Sequence, residues 1–285
     1  MKIQGLGKIG GGQDGAIYNG ILFRFNHLGH GAAFDLSKAG EGKVLSPFAT
    51  FVLDKSDILA PHSNAVFFGT HFYEEGDEFP LLYSNIYNNF CGKEDPLIGV
   101  CLVYRLVRIG DSFKTTLVQM IEIGFHENAT LWKAYPDKHG VRPYGNFVID
   151  RKTNAYYAYV MRTEESGTRY FKFRIPSVTE GEIDPTFGVR RLVLTEGDIH
   201  DSFDTPHHHF IQGGIAYEEK IYSTEGFEGE VERPAIRIID TETREQIAYF
   251  DLFSMGYDKE PEMIDFSDGK CYYSDAYGNF YTVAF

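Results

Sequence analysis

Five short lead-in segments recur along the chain, each running into an apolar strand, a turn and further aromatic-rich strands. They are Gln13-Asp14-Gly15-Ala16-Ile17, His62-Ser63-Asn64-Ala65-Val66, Tyr144-Gly145-Asn146-Phe147-Val148, His207-His208-His209-Phe210-Ile211 and Glu260-Pro261-Glu262-Met263-Ile264. A unit of a few strands cannot bury both of its faces, so its neighbours must cover it. A repeated β unit therefore folds as a propeller or a solenoid. The repeat also decides where the innermost strands lie, and so which polar side chains meet at the centre.

The strand signals group in fours. Ile21-Leu22-Phe23-Arg24-Phe25 and Ala155-Tyr156-Tyr157-Ala158-Tyr159-Val160 suit pleated surfaces, and Asn19-Gly20 and Asp268-Gly269 mark tight hairpins. The grouping predicts strands near 14–19, 21–26, 31–36 and 43–53 in the first unit. The second takes 64–70, 81–88, 98–108 and 113–124, and the third 146–150, 155–162, 169–175 and 189–194. The fourth takes 209–213, 216–223, 234–240 and 246–252. The last has only three, near 262–266, 270–275 and 279–285. Met1 to Leu6 is left over at the other end and supplies the missing strand, which closes a ring and leaves fewer open edges. The expectation is an all-β fold, a propeller of five four-stranded blades closed by the terminal strands, filling residues 1–285 as one domain. An open two-domain β arrangement is the alternative.

Composition narrows the function classes. Nineteen Tyr and 24 Phe support a large pleated core. The net charge of −14 without a Lys/Arg run disfavours nucleic acid. Cys91, Cys101 and Cys271 are too few and too scattered for a disulfide framework or a zinc site. No apolar run is long enough for a membrane span or a signal peptide, so the chain as written reads as soluble and cytoplasmic. A chain trimmed of a leader would read the same, which leaves a secreted or periplasmic address open.

The ends of the fourth unit, Ala235-Ile236-Arg237-Ile238-Ile239-Asp240 with Thr241-Glu242-Thr243 and Ile247 to Leu252, resemble blade ends of quinoprotein-like or YncE-like β-propellers. Gln13 to Leu36, ending in Phe34-Asp35-Leu36, is similar. The resemblance covers most of the chain as a blade rhythm. It implies a propeller with a ligand at its central funnel and transfers no catalytic residue. The repeated Trp motif of quinoproteins is missing, which argues against a quinone cofactor.

Aligning the lead-ins places Gln13, His62, Tyr144, His207 and Glu260 in one tier. Gly15, Asn64, Asn146, His209 and Glu262 form a second tier, because strand side chains alternate with period two. This polar ring is the expected ligand-binding site for a small molecule, a carbohydrate or a protein partner. No cofactor is specified. A divalent metal could sit on His62, His209 and Glu262, while the simpler account is a set of groups that satisfy one another and water. On a strand, adjacent residues of His207-His208-His209 face opposite ways, so at most two of them meet. The expected function is a non-enzymatic binding propeller. The alternative is a carbohydrate-active or metal-dependent hydrolase with Glu262 and Asp14 as acid–base groups and His62 and His209 nearby. Glu127 or Asp150 would then have to reach in from the opposite wall, and Trp132, Tyr135 and Tyr144 could stack on a sugar. The charged stretch of Asp198, His200, Asp201 and Asp204 reads as a solvated loop beside the funnel rim. Gly5-Leu6-Gly7-Lys8-Ile9-Gly10 matches a dinucleotide fingerprint but lacks the strand and helix that the motif requires.

Overall fold

The computed structural model describes residues 1–86, 97, 99–125, 146–161, 167–206 and 210–285. Its strands are β1 Lys2–Lys8, β2 Gly15–Tyr18, β3 Ile21–Phe25, β4 His30–Asp35, β5 Ala49–Val52, β6 His62–Phe68, β7 Leu82–Ile86, β8 Val100–Ile109 and β9 Ser112–Ile123. They continue as β10 Asn146–Asp150, β11 Ala155–Met161, β12 Thr168–Arg174, β13 Glu182–Ile183, β14 Arg190–Leu194, β15 Asp201–Thr205 and β16 Ile211–Tyr217. The last are β17 Lys220–Glu225, β18 Ala235–Asp240, β19 Glu245–Asp251, β20 Pro261–Ser267, β21 Lys270–Asp275 and β22 Asn279–Ala284.

They form a five-bladed propeller. From inside outward, blade 1 is β2-β3-β4-β5, blade 2 is β6-β7-β8-β9, blade 3 is β10-β11-β12-β15, blade 4 is β16-β17-β18-β19 and blade 5 is β20-β21-β22-β1. The inner strands β2, β6, β10, β16 and β20 touch one another in cyclic order. As the leftover segment predicts, β1 is the outer strand of blade 5, antiparallel to β22 from Lys2 opposite Ala284 to Lys8 opposite Asn279. The glycine run at 5–10 thus belongs to the closing strand. Gly7 is left-handed, and a Cβ there would lie 2.3 Å from the Lys43 carbonyl oxygen, so only glycine fits.

Short hairpins join the inner strands of blades 1, 3, 4 and 5 to their neighbours. Asn19 and Gly20 both take positive φ, as do Asp268 and Gly269, the geometry of a type I′ turn. Blade 4 makes the same turn with Glu218 and Glu219, at φ 50° and 61°. Both carboxylates there are paired with Lys152 of blade 3, at 3.3 and 2.7 Å.

One strand assignment differs from the sequence expectation. Residues 189–194 do not complete blade 3. Arg190–Leu194 instead runs parallel to β9 and, with β13, widens blade 2 to six strands. Arg191 holds this addition by donating to Glu122 at 2.7 Å and to Asp184 at 3.1 Å. Blade 3 is completed by Asp201–Thr205, the stretch expected to be a rim loop. Phe203 stacks on Tyr170 at 5.0 Å, and Asp204 takes a two-pronged ion pair from Arg169. An aromatic partner and a forked Arg contact outweigh the more apolar 189–194 run, whose Val193 stays exposed. Asp198 closes a capping box with Thr195, away from the inner strands.

Candidate functional site

The lead-ins open one end of the ring of inner strands, and two walls of different chemistry face each other there. The wall of blades 5 and 1 is acidic. Gln13 lies just before β2, and its Nε2 donates to Glu262 Oε1 at 3.3 Å. Glu262, in β20, is 2% exposed, and its Oε2 has no hydrogen-bond partner among the described residues. Burial pushes this carboxyl up to about 8, against the opposing pull of Arg24. Glu260, just ahead of β20, accepts from Gln212 Nε2 at 2.7 Å, and Gln212 also donates to the Gly226 carbonyl at 3.0 Å. Burial, then Glu228, raises the Glu260 carboxyl as well.

Two further acids on this wall are structural. Asp14 is fully buried; its oxygens accept from the Gly15 N–H at 2.8 Å and from the Val66 N–H at 2.9 Å, which ties blade 1 to blade 2. Burial lifts it well above the ordinary carboxylate range. Asp265 repeats the arrangement between blades 5 and 1, accepting from Ile17 at 2.6 Å and Phe266 at 2.7 Å. Burial pushes Asp265 up to about 6. Beside Asp14, Arg24 on β3 donates to Ser274 Oγ, to the Gly12 carbonyl at 2.7 Å and to the Asp275 carbonyl at 3.0 Å. Its pKa is lowered by burial, with Glu262, Asp14 and Asp275 pulling the other way.

The wall of blades 2 and 3 is made of amides. Asn85, on β7, donates to Asn64 Oδ1 at 2.6 Å and to Asn146 Oδ1 at 3.3 Å, and accepts from the Ala65 N–H at 2.9 Å. His62 stands at the start of β6 with φ 68°; its N–H donates to the His27 carbonyl, and the two rings lie 6.4 Å apart. Burial and then His27 push the His62 imidazole down to about 4, so it is neutral at physiological pH.

The structure therefore brings together Gln13 with Glu262, Glu260 with Gln212, and Asn64 with Asn146. Tyr144, His207 and His209 lie outside the described residues, as do His208, Cys91, Glu127, Trp132 and Tyr135. Gln13 meets Glu262, from the other expected tier, and not Glu260. The register of β20 shifts between Pro261 and Met263, and that of β16 between Ile211 and Gly213. Such bulges re-aim the side chains that period-two counting would place. Gln212 was missed for this reason, although the Gly213-Gly214 pair beside it inside a strand is a bulge signal. Arg24 and Asn85 lie on second strands, which an alignment of lead-ins does not reach. Asp150 sits at the far end of β10 from Asn146, and its carboxylate caps its own turn through Lys152 N–H and Thr153 Oγ. Among the described residues no three His, Cys, Asp or Glu side chains cluster as a metal site. No helix among them is long and apolar enough to cross a membrane.

No protein-family model matches the chain, and no curated protein does. Among solved structures it is similar to the glutaminyl cyclase of Myxococcus xanthus, with 10% identity and a TM-score of 0.48 over 100% of this chain and 94% of that one. It is also similar to BamB from Moraxella catarrhalis, with 10% identity and a TM-score of 0.35 over 99% and 61% of the two chains. The propeller of Dos1 gives 10% identity and a TM-score of 0.35 over 95% and 59%.

Proposed function

We propose that this propeller is a binding protein that takes a neutral, hydroxyl-rich small molecule, a sugar or polyol, at the mouth bounded by Gln13, Asn64, Asn146, Glu260 and Glu262. Gln212 belongs to the same rim. The observation that carries this reading is Glu262 Oε2, buried at 2% exposure with no partner among the described residues. Native proteins rarely leave a buried carboxyl oxygen unsatisfied, and at functional sites a ligand supplies the missing contact. With its carboxyl pushed up to about 8, Glu262 holds a proton at neutral pH and offers both a donor and an acceptor. The opposite amides add further donors and acceptors without net charge, which suits hydroxyl groups better than ions.

A titration series of monosaccharides, disaccharides and polyols, followed by calorimetry and thermal shift, tests the reading. At least one sugar should bind saturably, and Glu262→Leu, which keeps the bulk but removes both donor and acceptor, should weaken it by about fivefold or more, since each neutral hydrogen bond contributes about 0.5–1.5 kcal/mol. His62→Asn tolerates the left-handed backbone and tests the contribution of the imidazole. Saturable binding that ignores Glu262→Leu would discard the site.

Hydrolysis is the second reading, and the protonated Glu262 favours it as a general acid. Its proposed partner Asp14 has both oxygens engaged by main-chain N–H groups. Turnover of a glycoside panel that disappears in Glu262→Gln would support the hydrolase.

A further inference from the structure

The outer side of blade 1 carries a cavity of about 380 Å³, apart from the Gln13–Glu262 mouth. Its floor follows from strand register. Arg24 of β3 pairs with Ala32 of β4, and Ala32 pairs with Thr50 of β5, so the three side chains form one row across the sheet. The neighbouring row begins His30 opposite Val52, and on the other side Phe34 packs with Ile9 from the segment after β1. Small side chains at Ala32 and Thr50 between larger neighbours leave a trough. It spans three strands, about 10 Å at two interstrand spacings. Thr50 and His30 open its outer end to solvent, and Arg24 closes its inner end.

Arg24 is the unusual element. It is 3% exposed, no carboxylate among the described residues lies within ion-pair distance although Glu262, Asp14 and Asp275 act on it from further off, and its hydrogen bonds go to a hydroxyl and two carbonyls. Its Nε–H has no partner among the described residues. Buried guanidinium groups are almost always matched by an anion, because desolvating an unmatched charge is costly. Here the cation, which Glu262, Asp14 and Asp275 act on without touching, lines a cavity whose apolar side chains on this face are Ile9, Phe34 and Val52, with Asn26 and His30 at its edge. Inorganic phosphate would find one free donor and greasy walls. An apolar acid would find a cation for its carboxylate and cover for its body.

We propose that this trough binds a small monocarboxylic acid with an apolar body, carboxylate inward on Arg24 and hydrocarbon over Ala32 and Thr50. Arg24 also grips the Gly12 and Asp275 carbonyls, so replacing it would disturb the blade junction. The test blocks the outer end of the trough instead. Octanoate and hydrocinnamate are titrated against octanol and hydrocinnamyl alcohol by calorimetry, on the full chain and on Thr50→Trp. The acids should bind at least about tenfold tighter than the matched alcohols, the discrimination expected of one charge-assisted contact. Thr50→Trp should cut acid affinity by a similar factor with the melting temperature unchanged. Absence of saturable acid binding, equal binding of acid and alcohol, full acid affinity in Thr50→Trp, or phosphate competing as well as octanoate would each overturn the proposal.

Discussion

The seam between blades 5 and 1 and the seam between blades 2 and 3 solve the same packing problem with different chemistry. At the first, Asp265 receives the Ile17 N–H, Arg24 spans to Ser274, Gly12 and Asp275, and Gln13 reaches Glu262. The apolar cluster beside it is small: Ile9, Ile17, Leu22, Phe34, Leu45, Met263 and Phe280. The second is mainly aromatic, with Phe67 stacked on Tyr83, Phe147 stacked on Tyr156, and Cys101 buried among them. Its polar links include the Asn85–Asn146 bond, the Arg151 fork on the Phe68 carbonyl and the Thr70–Asn154 bond. Apolar packing tolerates small misfits, whereas a buried staple fits one register only. The polar staples are concentrated where segments from opposite ends of the chain must find each other.

The strongest way to break this contrast is to delete residues 1–8. Blade 5 would lose β1, and β22 would become an unpaired edge. The expected result is loss of a cooperative melting transition by calorimetry; a sharp transition near that of the intact chain would show that the staples close the ring without the strand. A narrower cut is Asp265→Ala. It orphans the buried Ile17 and Phe266 N–H groups, at about 1–3 kcal/mol each, so urea unfolding should show a loss of about 2–6 kcal/mol. A loss below about 1 kcal/mol would mean that water or a rearranged backbone satisfies both donors.

These two changes also separate what could be read in advance from what could not. Ring closure was legible because Met1 to Leu6 had no partner strand and the last unit lacked one. The blade rhythm was legible in aromatic runs punctuated by Asn19-Gly20 and Asp268-Gly269. The exchange of 189–194 for Asp201–Thr205 was not, because a local pattern scores apolar content and cannot see that Tyr170 waits for Phe203 or Arg169 for Asp204. Within the mouth, Gln13, Asn64, Asn146, Glu260 and Glu262 were named from the lead-ins. Their pairing was hidden by the bulges in β16 and β20. Arg24 was hidden for a different reason: a single charge inside an apolar strand looks like a solvent-facing residue until the neighbouring blade covers it.

The two seams should also differ in pH response. Glu262 and Asp265 have folded-state values raised to about 8 and about 6 by burial, from ordinary values of 4.5 and 3.8. A raised carboxyl means that the folded chain binds the proton more tightly than the unfolded chain. Its contribution is fully present below the unfolded value and is lost as pH rises through the folded one. Stability should therefore fall from about pH 4 upward as Asp265 and Glu262 lose their protons, and Glu262 should go on lowering it from pH 6 to 8 beside Asp14 and Glu260, which burial also raises, with a slope of at most about 1.4 kcal/mol per unit for each. Urea unfolding of Glu262→Gln should be flatter than the parent between pH 6 and 8. Identical slopes would place the titration elsewhere.

The amide wall supplies the smallest effect and the cleanest control. Asn85→Ala removes one acceptor from the buried Ala65 N–H and the bridge from Asn64 to Asn146, all neutral groups. The expected loss is about 1–3 kcal/mol, one orphaned donor, and it should be the same at pH 5 and pH 8 because nothing in that triad titrates. A pH-dependent loss would couple the two walls electrostatically across the channel. It would then also predict that Glu262→Gln and Asn85→Ala together depart from additivity, which distant, independent sites obey within about 0.5 kcal/mol.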